Sequence, residues 1–215
     1  MVNAVVFDVG ETLLDDTREW NAWADWLKVR RHTFSAVLGA VTAAGRDNAE
    51  TFQYFRPGFD LARERQQRED AGLGEQIDSA DLYPDVVPSL TQLRERGFWI
   101  GVAGNQTAKA ARLLRALDLP VDAIATSAEW GVAKPKREFF ERVVEMAGRP
   151  AGEIVYVGDH RDNDIVAGKN AGLRTALVRR GPWGYLWADD PLVEQHADWV
   201  IDSLAELPAL LTVER

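Results

Sequence analysis

The sequence has no cysteine. That excludes disulfides, thiolate nucleophiles and cysteine-based zinc or iron–sulfur sites, and it suits a reducing compartment. No apolar run approaches the roughly 20 residues needed to span a bilayer, so a membrane partner is not expected. Basic residues are the minority: 25 Lys and Arg face 34 Asp and Glu, a formal net charge of -9. Phosphate backbones repel such a chain, which argues against nucleic acid as a partner. A single small phosphorylated metabolite stays compatible, because one bound metal ion reverses the charge of one pocket. Internal repeats and low-complexity tracts are absent too. The segment Met1 to Asp8 has no basic n-region and no long apolar stretch, so no signal peptide is expected and the chain reads as cytoplasmic. Its oligomeric state is not encoded in any pattern we recognise.

What remains is a 215-residue chain, 46% hydrophobic, with room for one large domain or a domain plus a small insertion. Val2 to Phe7 reads as a short buried strand ending at Asp8. From Asp15 to Leu82 the character changes to Arg, Glu, Gln, Ala and Trp, with Trp20, Trp23 and Trp26 at helical spacing. Helices are expected over Thr33–Ala44, Asp47–Phe55 and Phe59–Ala71, with Arg63 to Asp70 as a solvated face. After Tyr83-Pro84 strands alternate with helices: strands at Phe98–Ala103, Ala123–Ala125, Ile154–Val157, Thr175–Val178 and Trp199–Ile201. Trp183 and Trp187 fall on an expected long loop after Val178. This alternation predicts an α/β fold, a Rossmann-like doubly wound parallel sheet. Its core is expected over 1–14 and 83–215, with an all-helical insertion at 15–82. Ligands of such sheets bind beyond the carboxyl ends of the strands. Asp8, Asn105 and Asp159 each sit just past an expected strand and should share one crevice.

Three motifs carry chemistry. The first is Phe7-Asp8-Val9-Gly10-Glu11-Thr12-Leu13-Leu14. The second is Val157-Gly158-Asp159-His160-Arg161-Asp162-Asn163-Asp164, followed by Ala171-Gly172. Clustered carboxylates after a strand repel one another unless a cation sits among them. The third is Gly131-Val132-Ala133-Lys134-Pro135, a lysine in a chain where arginine is far commoner. His160 beside Asp159 reads as an exposed loop residue.

Taken in order, these motifs resemble the haloacid dehalogenase superfamily, from Asp8 through Leu177, with the insertion where one class of that family places its cap. The resemblance implies a hydrolase, with Asp8 as a nucleophile forming an aspartyl ester and Lys134 as the cation beside it, Lys136 being the fallback. It implies Mg²⁺ held by Asp8, the backbone carbonyl of Gly10 and Asp159, with Asp164 behind them or acting through a water. Gly104 and Asn105 would offer backbone amides to the substrate phosphoryl group, and the cap would set substrate choice.

Two positions depart from the family pattern. Its phosphatases usually carry an acid/base Asp where this chain has Gly10, and a Ser or Thr where it has Gly104. Glu11, next to the gap, stands where the family usually has Gly. Two readings follow. One is a Mg²⁺-dependent phosphatase acting on a small phosphorylated metabolite with a good leaving group, such as an acyl or anomeric phosphate. The alternative is a catalytically impaired member that binds a phosphorylated ligand or a protein partner without turnover. The metal-free 2-haloacid dehalogenases lack the paired acids Asp159 and Asp164. Phosphonoacetaldehyde hydrolysis needs a cap lysine, for which Lys28 is the one candidate.

Overall fold

The computed structural model describes residues 1–211. Its sheet has six parallel strands in the order β3-β2-β1-β4-β5-β6. They are β1 (Ala4–Phe7), β2 (Trp99–Gly104), β3 (Ala123–Thr126), β4 (Ile154–Gly158), β5 (Arg174–Val178) and β6 (Trp199–Ile201). The four residues of β1, AVVF, are all buried, as a central strand with neighbours on both edges and helices on both faces requires. Phe7 is in register with Val102 of β2 and Val157 of β4. The carboxyl ends of these three strands therefore lie side by side, and Asp8, Asn105 and Asp159 follow them.

The chain divides into two compact units: Met1–Asp15 with the chain from Asp78 onward, and Asp16–Ile77. The segment 78–82 goes with the sheet unit. Asp15 N–H donates to the Asp81 carbonyl, and Leu14 bridges Leu82. The second unit contains α1 (Thr17–Trp26), α2 (Arg31–Ala43), α3 (Thr51–Phe55) and α4 (Leu61–Asp70). Its core is aromatic: Trp23, Phe34, Phe52 and Phe59, with Trp20 and Trp26 packed against them. Phe52 and Phe59 stack at 4.6 Å between centroids, and Trp23 meets Phe52 edge-on at 4.9 Å.

One face of α4 differs from its expected solvation. Glu64 and Arg68, one helical turn apart, point inward. Arg68 donates to both oxygens of Glu19, at 2.7 and 3.2 Å, and lies 4.0 Å from the Trp23 ring centroid. Glu64 accepts from Trp26 Nε1 at 2.7 Å. An inward charge is tolerable once paired and stacked, and composition does not reveal that pairing.

In the sheet unit α5 (Val86–Glu95) buries Val86, Leu90 and Leu93. Next come α6 (Ala108–Ala116), α7 (Ser127–Trp130) and α8 (Arg137–Ala147). Phe139, Phe140, Val143 and Ala147 of α8 pack on Ala4, Val6, Ala103 and Tyr156 of the strands. The expected loop after Val178 instead contains a helix, Gly181–Trp187, with Pro182 in its first turn, where a missing N–H costs nothing.

Candidate active site

Asp8 leaves β1 as the strand ends, and its carboxylate is almost fully enclosed. Lys134 Nζ lies 2.7 Å from Asp8 Oδ1 and 2.6 Å from Asp164 Oδ1. Asp164 has no exposed surface, and its other oxygen accepts from the His160 backbone N–H at 2.9 Å. Asp8, Asp159 and Asp164 each offer an oxygen within 4.8 Å of the others. Asp159 Oδ2 is buried and accepts no hydrogen bond among the described residues. Lys136, the fallback cation, is exposed at the start of α8.

The electrostatics follow from this crowding. Burial raises the Asp8 carboxyl to about 6, with Lys134 opposing and Asp164 reinforcing the rise. Burial, then Asp164 and Asp8, push Asp159 well above the carboxylate range. Burial pulls the Lys134 ammonium down, but the Asp164 and Asp8 charges outweigh it and hold it well above the ordinary lysine value. Three carboxyl groups thus share one ammonium, and burial resists ionising all three unless a further cation joins them. The donors are all oxygen, and one buried oxygen is unsatisfied. Such a set fits a hard divalent cation such as Mg²⁺. Lys134→Met is expected to leave two buried carboxylates uncompensated and to destabilise the metal-free protein by about 3–5 kcal/mol. Urea denaturation in the presence of a chelator measures that loss.

Backbone geometry holds these side chains. The Asn105 side chain clamps the main chain of Lys134: its Oδ1 accepts from the Lys134 N–H at 2.8 Å, and its Nδ2 donates to the Lys134 carbonyl at 3.0 Å. The Asn105 side chain is therefore engaged in fixing the lysine, a role its expected assignment to the substrate did not include. Tyr156 was also missed. It donates to the Ala103 carbonyl at 2.6 Å, and its ring centroid lies 5.4 Å from Lys134 Nζ. A tyrosine within an otherwise apolar strand was the available signal.

Two glycines make room for carboxylates. A Cβ on Gly104 would lie 2.5 Å from Asp8 Oδ1, so the Asp8 carboxylate occupies the space a serine would need. A Cβ on Gly158 would overlap the Asp164 carboxylate and lie 2.7 Å from Asp164 Cβ. Gly158→Ala is expected to cost about 1–3 kcal/mol through overpacking, read as a shift of the denaturation midpoint. Thr107, near Gly104 in sequence, caps α6 by accepting from the Ala110 N–H at 2.9 Å.

Gly10 has no left-handed backbone, whereas Glu11 does, with φ 52°. A non-glycine residue there costs roughly 1–2 kcal/mol. Glu11 accepts a hydrogen bond from the Tyr83 hydroxyl at 2.6 Å. Burial and then the Glu11 bond push the Tyr83 hydroxyl upward, so it stays a donor.

His160 differs from the exposed residue expected. It lies between Trp183, at 5.5 Å, and Trp187, at 5.0 Å between centroids. Its Nδ1 accepts from the Asp162 and Asn163 amides, each at 3.2 Å. Burial, then the Lys134 charge, lower it to about 4, so the ring is neutral at physiological pH. The aromatic partners come from a helix 21 or more residues downstream, which no local pattern links to residue 160.

Comparison with known proteins decides the lineage. The family description "haloacid dehalogenase-like hydrolase" matches residues 2–172. The chain belongs to this family. Among relatives of this haloacid dehalogenase-like hydrolase is the ribulose-1,5-bisphosphate 5-phosphatase of Halopiger xanaduensis, 32% identical over 99% of this chain and 100% of that protein. The glyceraldehyde 3-phosphate phosphatase of Methanocaldococcus jannaschii is 34% identical over 58% of this chain and 54% of its own length. That match, like the one to the Methanopyrus kandleri enzyme of the same name, spans about half of the relative. The HAD-hydrolase YfnB of Bacillus subtilis, solved bound to magnesium, superposes with a TM-score of 0.72 at 20% identity, covering 99% of both chains. At that identity the likeness is one of fold. No helix among the described residues is long and apolar enough to cross a membrane.

Proposed function

We propose that this hydrolase is a Mg²⁺-dependent phosphatase of small phosphorylated metabolites, with Asp8 as the nucleophile. The supporting observation is the convergence of Asp8, Asp159 and Asp164, each with an oxygen within 4.8 Å of the others, together with a buried Asp159 oxygen that accepts no hydrogen bond among the described residues. The phosphatase names of the relatives support the same substrate class. Asp8, the Gly10 carbonyl and Asp159 would hold Mg²⁺, with Asp164 acting through a water, and the ion would neutralise charge on the transferring phosphoryl group. An Asp8 oxygen attacks phosphorus, the bond from phosphorus to the leaving oxygen breaks, and an aspartyl-phosphate forms. Water then attacks that phosphorus, releasing inorganic phosphate and restoring the Asp8 carboxylate. Lys134 counters the charge that builds on the nucleophile and phosphoryl oxygens. Asn105 positions Lys134 for that role.

Gly10 has no side chain to protonate the leaving oxygen, which favours substrates whose leaving group needs no acid. The test is phosphate release, with and without Mg²⁺, from a panel of acyl phosphates, anomeric phosphates and triose or pentose phosphate esters. Turnover of the first two groups ahead of the esters is expected. The bare positions Gly10 and Gly104 favour a second reading, in which the pocket binds a phosphorylated ligand without turnover. It wins if no panel compound reacts while calorimetry detects Mg²⁺-dependent binding of phosphate or its analogues.

A further inference from the structure

The turn after Asp8 is held from outside the motif, and Glu11 is the point of attachment. We propose that Glu11 is a positioning residue whose carboxylate, gripped by the Tyr83 hydroxyl, locks the turn Val9–Leu14 and with it the Gly10 carbonyl. The inference rests on the metal-dependent reading above for its link to Mg²⁺, and on the geometry alone for the strut.

Four observations support it. Glu11 adopts a left-handed backbone conformation, φ 52°, that a side chain tolerates only where the surroundings over-determine it. Tyr83 supplies one constraint, at 2.6 Å. Gly181 supplies another: a Cβ there would lie 2.5 Å from Glu11 Cγ and 2.6 Å from its Cβ, so the bare glycine forms the wall on which the Glu11 stem rests. Arg180, next to that glycine, closes the circuit. It donates to the Thr12 carbonyl at 2.7 Å, lies 4.3 Å from the Tyr83 ring centroid and pairs with Asp85. Asp85 in turn accepts from the Leu204 N–H at 2.9 Å and from the Ser203 hydroxyl. Inside the turn, Glu11 N–H donates to the Leu14 carbonyl at 2.7 Å and Leu13 N–H to the Val9 carbonyl at 2.8 Å. Three distant segments thus brace the six consecutive residues Val9–Leu14 after the nucleophile. A carboxylate committed to Tyr83 serves the turn rather than proton transfer.

The experiment compares full-length Glu11→Ala, Glu11→Gln and Tyr83→Phe with the parent protein. One arm follows hydrogen exchange of the peptide covering Val9–Leu14 by mass spectrometry, without metal. The other titrates Mg²⁺ by calorimetry. Loss of one buried hydrogen bond predicts about tenfold faster exchange and about tenfold weaker Mg²⁺ binding in Glu11→Ala and Tyr83→Phe. Glu11→Gln keeps an acceptor for Tyr83 and should stay within about threefold of the parent in both arms. Unchanged exchange in Glu11→Ala and Tyr83→Phe overturns the strut. Faster exchange with an unaltered Mg²⁺ constant overturns its claim on the Gly10 carbonyl. If the parent protein binds no Mg²⁺, the metal reading fails, and the exchange arm still decides the strut. Loss of turnover in Glu11→Gln with exchange and Mg²⁺ binding intact makes Glu11 a proton carrier and overturns the positioning role.

Discussion

Asp8→Asn abolishes phosphate release from every substrate that the parent protein hydrolyses, by on the order of 10⁴-fold or more in kcat. The amide is nearly isosteric with the carboxylate but cannot form the acyl phosphate, so the covalent route closes while the pocket stays shaped. The electrostatics sharpen the test. Burial already strains the Asp8 carboxylate upward to about 6, so neutralising it removes a repulsion with Asp164 at the cost of one contact to Lys134. The variant therefore folds at least as well as the parent without metal, and its inactivity cannot be ascribed to unfolding. Stopped or steady-state phosphate assays, paired with a melting curve of each protein, check both halves. Residual turnover within tenfold of the parent would place the nucleophile elsewhere.

Restoring the missing acid is the second large effect. Gly10→Asp introduces a carboxyl two residues after the nucleophile, on a backbone that is not left-handed. A positioned general acid contributes about 10²–10⁴-fold. The gain should appear in kcat for phosphate esters with poor leaving groups, which depend on a proton, and stay small for acyl phosphates, which do not. A plot of rate against leaving-group pKa reads the difference directly: its slope is steep in the parent and shallow in the variant. Parallel lines of equal slope would mean that protonation of the leaving oxygen is not what limits this enzyme.

The strand ends and the three motifs were legible because each is local. An apolar stretch followed by Asp8, another followed by Asp159, and a lone Lys134 before proline all declare themselves within a few residues. The sheet order seen in the structure, β3-β2-β1-β4-β5-β6, brings those ends together. What escaped depends on partners far along the chain. Arg68 is hidden because Glu19 and Trp23 receive it, and His160 is hidden because Trp183 and Trp187 enclose it. Asn105 reads as a backbone-amide donor to the phosphoryl group, and the grip of its side chain on the Lys134 backbone 29 positions away is invisible locally. The helix at Gly181–Trp187 was obscured by its glycines and proline, which locally favour a loop. Gly104 shows the converse: the sequence reveals a missing hydroxyl, and only the structure reveals that Asp8 occupies the gap.

The position of β1 has a consequence for biosynthesis. Ala4 pairs with Trp99 on one edge and with Ile154 on the other. A ribosome adding about 5–20 residues per second leaves this greasy tetrapeptide without a neighbour for roughly 5–20 s, and without its second neighbour for longer still. The helical unit encoded in between, with its own aromatic centre, has time to collapse first. Nascent chains stalled before residue 99 should therefore recruit holdase chaperones through their N-terminal segment and release them once the later strands emerge.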